Sequence, residues 1–90
     1  MYEQWYWHVY IIECLDGSYY TGCTRSPANR MDQHLSHYGS KYTRRHGVKR
    51  VAHLEAYDSL EAARTREKQI KGWTRQKKEK LINGEWHQLN

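Results

Sequence analysis

Residues 5–24 read WYWHVYIIECLDGSYYTGCT and decide the fold. Two runs in this stretch, residues 5–12 and 19–24, are rich in aromatic and β-branched side chains, as strands are. Between them lies Asp16-Gly17, a strong turn signal when such runs flank it. The stretch therefore predicts a β-hairpin.

Downstream of the hairpin, helix and strand signals alternate. The first predicted elements are a helix that opens at Ser26-Pro27 and fades near Tyr38-Gly39, a loop over residues 38–50, and a strand from Val51 to Tyr57. The next predicted element is a helix that begins at a capping box formed by Asp58 and Glu61. It ends at Lys71, and Gly72 is expected to be its C′ residue. A short helix capped by Thr74, with Leu81 and Ile82, comes last. The order β-β-α-β-α-α predicts an α+β domain with an antiparallel sheet.

Length and composition limit the class of protein. Ninety residues suffice for one small domain, and we expect a single domain over residues 1–90. Mean hydropathy is −1.11, yet four tryptophans and eight tyrosines argue against disorder, because disordered chains are poor in aromatics. No apolar run approaches the ~20 residues of a membrane-spanning helix, and the first residues do not resemble a signal peptide. Cys14 and Cys23 are too few for a disulfide scaffold, so we expect reduced thiols in a cytoplasmic protein.

Positive charge is concentrated in one part of the chain. The formal net charge is +5, and residues 41–80 hold thirteen of the fifteen lysines and arginines. Such an asymmetry predicts a surface that faces a polyanion.

The predicted second long helix contains a residue that does not fit its apolar face. Leu60, Ala63, Glu67 and Ile70 follow the spacing of a single helix face. A carboxylate rarely points inward unless it is paired or binds a cation. Two interpretations of Glu67 stay open at this point, a salt bridge to a nearby arginine and a metal ligand.

Several short motifs follow one another in a recognisable order. They are Val9-Tyr10-Ile11, Tyr20-Thr21-Gly22, Arg30 with His34, Ser40-Lys41-Tyr42-Thr43-Arg44, and the stretch from Glu67 to Lys78. Together they resemble the GIY-YIG endonuclease superfamily, in particular its short single-domain branch related to the nuclease domain of bacterial excision-repair endonucleases. Two positions depart from the family pattern, because His8 stands where its first motif has glycine and Thr21 where its second has isoleucine.

The resemblance implies a three-stranded antiparallel sheet flanked by helices and a divalent-metal-dependent DNA endonuclease. It makes Glu67 the single metal-binding carboxylate and Arg30 the catalytic arginine. It also implies that Tyr10 is the general base and that Tyr20 orients the water or the phosphate. His34, one turn beyond Arg30, would share the proton transfer or bind phosphate.

The chemistry that this resemblance implies is consistent with the residue types. One carboxylate, completed by waters and a phosphate oxygen, suits Mg²⁺, for which Mn²⁺ can substitute. The Arg30 guanidinium can bind the phosphate and stabilise the charge of the transition state. A tyrosine has an unperturbed pKa of ~10, and we expect neighbouring cations to lower the pKa of the base. The late asparagine that the family has near its site has no clear counterpart in this sequence, and Asn83 is one candidate.

Other interpretations stay open for the same residues. Tyr10 and Tyr20 are able to exchange roles, or to serve only as aromatic members of a hairpin face. Arg30 and His34 are equally compatible with a solvated helix stripe, and His34 with His37 has the spacing of a zinc pair. For the whole chain, the alternatives are a catalytically silent nucleic-acid-binding module and an adaptor that recruits an acidic protein.

The hairpin provides a test of the shared site. A two-residue loop at Asp16-Gly17 would pair Tyr10 with Cys23 and place Tyr20 on the opposite face, because side chains alternate along a strand. A site that contains both tyrosines therefore requires a loop of odd length or a bulge, with Gly17 at positive φ.

Two basic segments, residues 41–50 and 64–80, are expected to bind DNA phosphates. The predicted contacts are Lys41, Tyr42, Arg44, Arg45, Lys71, Arg75, Lys77 and Lys78. Tyr38 and Tyr42, if exposed, favour stacking on unpaired bases of single-stranded, flap or branched DNA, whereas Trp73 is expected to pack against the domain as a hydrophobic staple for the last helix. Specificity for particular DNA would come from DNA shape, from a homo-oligomer or from a partner protein. We expect the protein in the cytoplasm, associated with the nucleoid, in a bacterial or phage-like system.

Overall fold

The computed structural model describes residues 6–35 and 40–84. Within these residues the elements are β1 (Trp7–Cys14), β2 (Tyr19–Thr24), α1 (Pro27–Leu35), α2 (Lys41–His46), β3 (Val48–Tyr57), α3 (Leu60–Lys71) and α4 (Arg75–Ile82). The strands form one antiparallel sheet in the order β2-β1-β3. The predicted α+β class and the order β-β-α-β-α-α are confirmed, with the short helix α2 as an addition.

The hairpin has the register that a shared tyrosine site requires. Tyr10 pairs with Gly22 and Ile12 pairs with Tyr20, so both tyrosines point to the same face of the sheet. The Cys14 amide donates to the Ser18 carbonyl at 2.8 Å, which leaves residues 15–17 as the loop. The loop is odd in length and Gly17 has a φ of 86°, and both of these predictions are confirmed.

The predicted loop over residues 38–50 is wrong over most of its length. Ser40 caps α2, with its hydroxyl accepting from the Thr43 amide, and β3 begins at Val48 rather than at Val51. The serine cap stabilises this helix of six residues, and so short a helix gives almost no periodicity to detect. The predicted end of the first helix, near residues 38–39, lies outside the described residues.

Smaller differences concern strand and helix ends. The first strand runs over Trp7–Cys14 and so ends two residues after the predicted Ile12, while Trp5 lies outside the described residues. The capping box at Asp58 is wrong, because Ser59 caps α3 and accepts from the Ala62 amide. Gly72 is the C-cap rather than C′ and has right-handed backbone angles, φ −82° and ψ −5°. Serine and aspartate are both good N-caps, so the sequence Asp58-Ser59 did not distinguish them.

Both faces of the sheet are covered, and the two cores differ. On one face Val9 and Ile11 pack against α3 and α4 through Ala63, Ile70 and Leu81. Trp73 joins this cluster, which confirms that it packs against the domain.

The opposite face holds the second core. Tyr10, Ile12 and Cys14 are buried there, with Met31 of α1 and Val48 packed against them. Cys14 and Cys23 carry free thiols, and they cannot form a disulfide with each other because they lie on opposite faces of the sheet. Since Tyr10 belongs to a packed core, its position is fixed by the fold itself.

Thr21 is a buried polar residue without a hydrogen-bond partner for its hydroxyl among the described residues. It pairs with Ile11 in the sheet, on the face that packs against α3 and α4. Replacing Thr21 by valine, which has nearly the same shape, is expected to raise the free energy of unfolding by about 1 kcal/mol, because a buried hydroxyl without a partner is costly. Urea unfolding tests this, and an unchanged or lower stability would show that the hydroxyl is satisfied.

Glu55 of β3 is an inward carboxylate that fastens α3 to the sheet. Its oxygens lie 2.8 Å from His53 Nε2, 2.6 Å from the Tyr57 hydroxyl, and 3.0 and 3.1 Å from Nε and Nη2 of Arg66. Burial acts to raise the pKa of Glu55, but the hydrogen bonds from His53, Arg66 and Tyr57 outweigh burial and lower this pKa to about 2. Burial and the bond to Glu55 raise the pKa of Tyr57 to about 12.

Acid is therefore expected to weaken the domain through Glu55. The pKa of Glu55 is lower in the folded protein than its value of ~4.3 in the unfolded chain, so ionised Glu55 stabilises the fold at pH values above ~4.3. This stabilisation is lost as the pH falls toward about 2, and in full it amounts to about 3 kcal/mol. Urea unfolding near pH 6 and about pH 3 should show that Glu55→Gln loses about 1–2 kcal/mol less on acidification than wild type. Glu61→Gln, at an exposed glutamate of α3, is the control and should behave as wild type. Equal acid losses in all three proteins would contradict the assignment.

Within residues 6–35 and 40–84, every helix is too short and too polar to cross a bilayer.

Candidate active site

A cleft of about 510 Å³ opens beside β2, between the hairpin, α1 and α3. The predicted residues Tyr10, Tyr20, Arg30 and Glu67 all line it, together with Lys71. Its other lining residues are Trp7, Gly22, Cys23, Leu60, Arg64 and Lys68. The structure thus brings four of the five predicted catalytic residues to one cleft, and their catalytic roles stay predictions.

Tyr10 reaches the cleft from the core of the domain and is only 1% exposed. Its ring passes over Gly22 of β2, where a Cβ atom would overlap the Tyr10 hydroxyl and Cζ. Burial raises the pKa of Tyr10, and the Arg30 guanidinium beside it only partly opposes this effect. The expectation that neighbouring cations lower the pKa of the tyrosine base is therefore wrong for Tyr10, because desolvation of the phenolate is the larger effect.

His34, the fifth predicted catalytic residue, lies behind Tyr10 and not on a solvated helix stripe. It is 2% exposed, with Nε2 3.1 Å from the Tyr10 hydroxyl and Nδ1 2.7 Å from Thr43 Oγ1. Burial, with a smaller contribution from Arg30, lowers the pKa of His34, which favours the neutral ring. Both ring nitrogens are engaged, which argues against a zinc pair with His37, a residue outside the described part of the chain.

An aromatic row leads from Tyr10 to α2. The Tyr20 ring lies 6.3 Å from that of Tyr10, 5.6 Å from that of His34 and 5.7 Å from that of Tyr42. Tyr42 stacks on His46 at 4.1 Å, and His46 pairs with Asp16 in the hairpin loop. Hydrogen bonds from Ser18 and then from His46 hold the pKa of Asp16 well below its usual range. Through this row α2 is attached both to the cleft and to the hairpin loop.

Glu67 lies on the inward face of α3, between the buried residues Ala63 and Ile70. Its side chain is 19% exposed, and its carboxylate accepts an ion pair from Lys71 Nζ at 2.9 Å. The structure thus pairs Glu67 with a lysine, where the salt-bridge interpretation expected an arginine. Because the Lys71 side chain is 53% exposed, this pair is weak and easily exchanged.

The donor set at Glu67 fits Mg²⁺ better than zinc. Among the described residues, no three histidine, cysteine or acidic side chains cluster in a way that could hold a metal. Magnesium keeps several waters and needs only one or two carboxylates, whereas zinc sites need three or four protein ligands. A half-buried carboxylate that faces an open cleft meets the first requirement.

The predicted phosphate contacts separate into two groups. Lys41, Tyr42, Arg44 and Arg45 are exposed on α2, and Lys71 lines the cleft. The basic residues of α4 instead contact other parts of the domain. Arg75 stacks on the Tyr19 ring at 4.7 Å and donates to the Gly17 carbonyl. It also forms an ion pair with Glu79 at 3.3 Å.

The other basic residues of α4 are similarly engaged. Lys77 lies over the Trp73 ring at 4.5 Å, and burial lowers the pKa of Lys78. Asn83 is the C-cap of α4 and does not line the cleft.

Sequence reasoning missed several residues of the site. Arg64 and Lys68 line the cleft beside Glu67, and the i, i+3 spacing of Arg64 and Glu67 on α3 was a usable signal. Gly22 and Thr43 were quoted only as parts of motifs, although one makes room for Tyr10 and the other contacts His34.

A family model of the GIY-YIG catalytic domain matches residues 6–80. This range contains both tyrosine motifs, all of the cleft and the N-cap residues of α2, α3 and α4. The chain belongs to the GIY-YIG family. Membership of this family suggests nuclease activity and DNA binding.

Similar proteins carry the name UPF0213. One from Haloquadratum walsbyi is 43% identical over 76 residues, which cover 84% of this chain and 85% of that protein. One from Halobacterium salinarum is 45% identical over 75 residues, with coverages of 83% and 97%. The solution NMR structure of a UPF0213 protein from Bacillus halodurans shares 42% identity and a TM-score of 0.57, and covers 87% of this chain and 83% of that one. The predicted short, single-domain branch of the family is confirmed.

Proposed function

We propose that this chain is a divalent-metal-dependent DNA endonuclease that hydrolyses phosphodiester bonds. The observation that supports this most is the convergence of Tyr10, Arg30 and Glu67, from three different elements, on one cleft lined by cations. A module that only binds DNA has no use for a half-buried carboxylate at this place, because the carboxylate repels phosphate.

Arg30 binds the scissile phosphate. Its guanidinium lies beside the Tyr10 hydroxyl, and its Nη1 donates to Gln33 Oε1 at 2.8 Å. A planar cation in a fixed orientation stabilises the charge that develops on the phosphate oxygens, and also keeps the phosphate next to the phenol.

Tyr10 and His34 together remove the proton from the attacking water. Burial raises the pKa of Tyr10, so a free phenolate does not form in advance. As Tyr10 takes a proton from the water, its own proton passes to the neutral His34, whose Nε2 lies 3.1 Å from the hydroxyl. This contact supports Tyr10 as the base and Tyr20 as the residue that orients the water or the phosphate.

Glu67 would hold the cation, Mg²⁺ or Mn²⁺, in place of Lys71. A bound cation would polarise the phosphate and support the leaving oxygen. Once Lys71 is released from Glu67, its ammonium group binds a phosphate oxygen of the substrate, next to Arg64 and Lys68 in the same cleft.

The substrate is single-stranded, flap or branched DNA. Tyr42 is 37% exposed, contacts the cleft residue Tyr20, and lies on a helix that also carries Lys41, Arg44 and Arg45. An exposed aromatic ring among phosphate-binding cations favours unpaired bases. A preference for branched DNA would suit a role in DNA repair, with added specificity from a second copy or a partner protein.

The test is cleavage of labelled single-stranded, duplex and flap DNA in Mg²⁺, Mn²⁺ or EDTA. We expect cutting in either metal, none in EDTA, and faster cutting wherever unpaired bases adjoin the cleavage point. Cleavage that persists in EDTA would contradict metal dependence. Binding without cleavage on every substrate would favour the silent nucleic-acid-binding module instead.

A further inference from the structure

Three buried polar side chains form a line behind the cleft. Tyr10, His34 and Thr43 are 1%, 2% and 1% exposed, respectively. The Tyr10 hydroxyl lies 3.1 Å from His34 Nε2, and His34 Nδ1 lies 2.7 Å from Thr43 Oγ1. Neutral histidine has one nitrogen that donates and one that accepts, so Tyr10 meets either a donor or an acceptor.

The surroundings of Thr43 decide which nitrogen carries the proton. Thr43 Oγ1 donates its only proton to the Ser40 carbonyl oxygen at 3.2 Å, because a carbonyl oxygen can only accept. With its proton used in this way, the threonine oxygen acts as an acceptor toward His34, and the arrangement favours hydrogen on Nδ1. Nε2 is then left with a free lone pair directed at the Tyr10 hydroxyl.

The cap of α2 holds the threonine in this orientation. The Thr43 amide donates to Ser40 Oγ at 3.1 Å, and the two hydroxyl oxygens lie 3.1 Å apart. Since the Thr43 proton is already used, the Ser40 hydroxyl donates to Thr43 Oγ1. Both lone pairs of Thr43 Oγ1 are thus occupied, one by Ser40 and one by His34.

We propose that Thr43 is a positioning residue, which keeps His34 in the tautomer protonated at Nδ1 so that Nε2 accepts the hydroxyl proton of Tyr10. The opposite tautomer would direct an N–H group at the Tyr10 oxygen and could not take its proton. When the proton moves, the Tyr10 O–H bond breaks and an Nε2–H bond forms, while the Nδ1–H bond to Thr43 persists. This inference rests on the proposed function for its consequence in catalysis, but the tautomer itself is observable without any cleavage.

The experiment is long-range ¹H–¹⁵N NMR of the histidine rings in the full chain, without DNA, at a pH where His34 is neutral. The chain has six histidines, and the missing signals of His34→Gln assign the ring in question. We expect a protonated Nδ1 and an unprotonated Nε2 in wild type. A wild-type ring protonated at Nε2 would overturn the proposal, and this measurement needs no variant of Thr43.

Three variants separate positioning from burial. Thr43→Val should shift His34 to the Nε2-protonated tautomer or to a mixture, and Thr43→Ser should restore the wild-type pattern. Thr21→Val removes a hydroxyl from another buried threonine that does not contact His34, so it should leave the His34 signals unchanged. An unchanged tautomer in Thr43→Val would overturn the proposal.

Cleavage then measures the consequence. Thr43→Val should lower kcat by about 10–100-fold with little change in KM, and Thr43→Ser should recover most of the loss. If the wild type proves inactive on every DNA, the proposed function fails while the NMR result still decides the role of Thr43. If the wild type cuts and Thr43→Val cuts equally fast, the positioning role is wrong.

Discussion

Replacing Glu67 by glutamine is expected to lower metal-dependent cleavage by about 10³-fold, since electrostatic stabilisation of a transition state is commonly worth this much. Glutamine has the same shape, so the packing of α3 between Ala63 and Ile70 is retained, but its neutral amide is a poor ligand for a divalent cation. Binding of Mn²⁺, followed by electron paramagnetic resonance, should be lost in the same variant. Without metal, DNA binding should be equal or tighter, because a negative charge has been removed from a basic cleft.

The matched control for this prediction is Glu61→Gln, which removes the same charge from the exposed side of the same helix. It should cut at the wild-type rate and bind Mn²⁺ with wild-type affinity. Cleavage retained in Glu67→Gln would show that the cation binds elsewhere. Equal losses in both variants would show that the effect comes from net charge and not from a ligand.

Replacing Gly22 by alanine is expected to lower cleavage by more than about 100-fold and to lower the free energy of unfolding by about 1–3 kcal/mol, as overpacking of a core does. The new methyl group would overlap the Tyr10 hydroxyl and Cζ. Because Tyr10 is enclosed by Ile12, Cys14 and Met31, its ring cannot move away without displacing the core. The hydroxyl would therefore leave both His34 and Arg30.

Gly72→Ala serves as the control for a glycine-to-alanine change. Gly72 has right-handed backbone angles, and a Cβ atom there would lie 3.5 Å from the Gln69 carbonyl oxygen, an ordinary contact. This variant should cut at the wild-type rate and be as stable as wild type or about 0.4–1 kcal/mol more stable. Wild-type cleavage by Gly22→Ala would show that Tyr10 is not held against β2 in solution.

The hairpin illustrates how far sequence reasoning reached. The Asp16-Gly17 pair alone favours a two-residue turn, which would have separated the two tyrosines. The requirement that Tyr10 and Tyr20 share a site predicted the odd loop and the positive φ of Gly17, and the structure has both. A functional constraint thus corrected a purely local signal.

Other features depend on contacts that the sequence does not encode locally. Glu67 was visible because it interrupts an apolar helix face, but Glu55 was not, because strand alternation does not reveal which face a helix will cover. Arg75 looked like a phosphate contact from its charge, and only the fold shows that it meets Tyr19 and the Gly17 carbonyl. The helix α2 was not predicted because its six residues are too few to show a helical period.

The burial of Tyr10 and His34 has a consequence for comparing members of this family. Both side chains belong to the packed interior as well as to the site. Selection for stability would therefore retain them even in a relative that has lost its activity. Arg30, Glu67 and Lys71 are partly or largely exposed, and their loss would cost the fold little. A sequence that retains its tyrosines but lacks the arginine and the glutamate should therefore be classified as a degenerate paralogue. Arg30 and Glu67 are therefore the better diagnostic of a working enzyme.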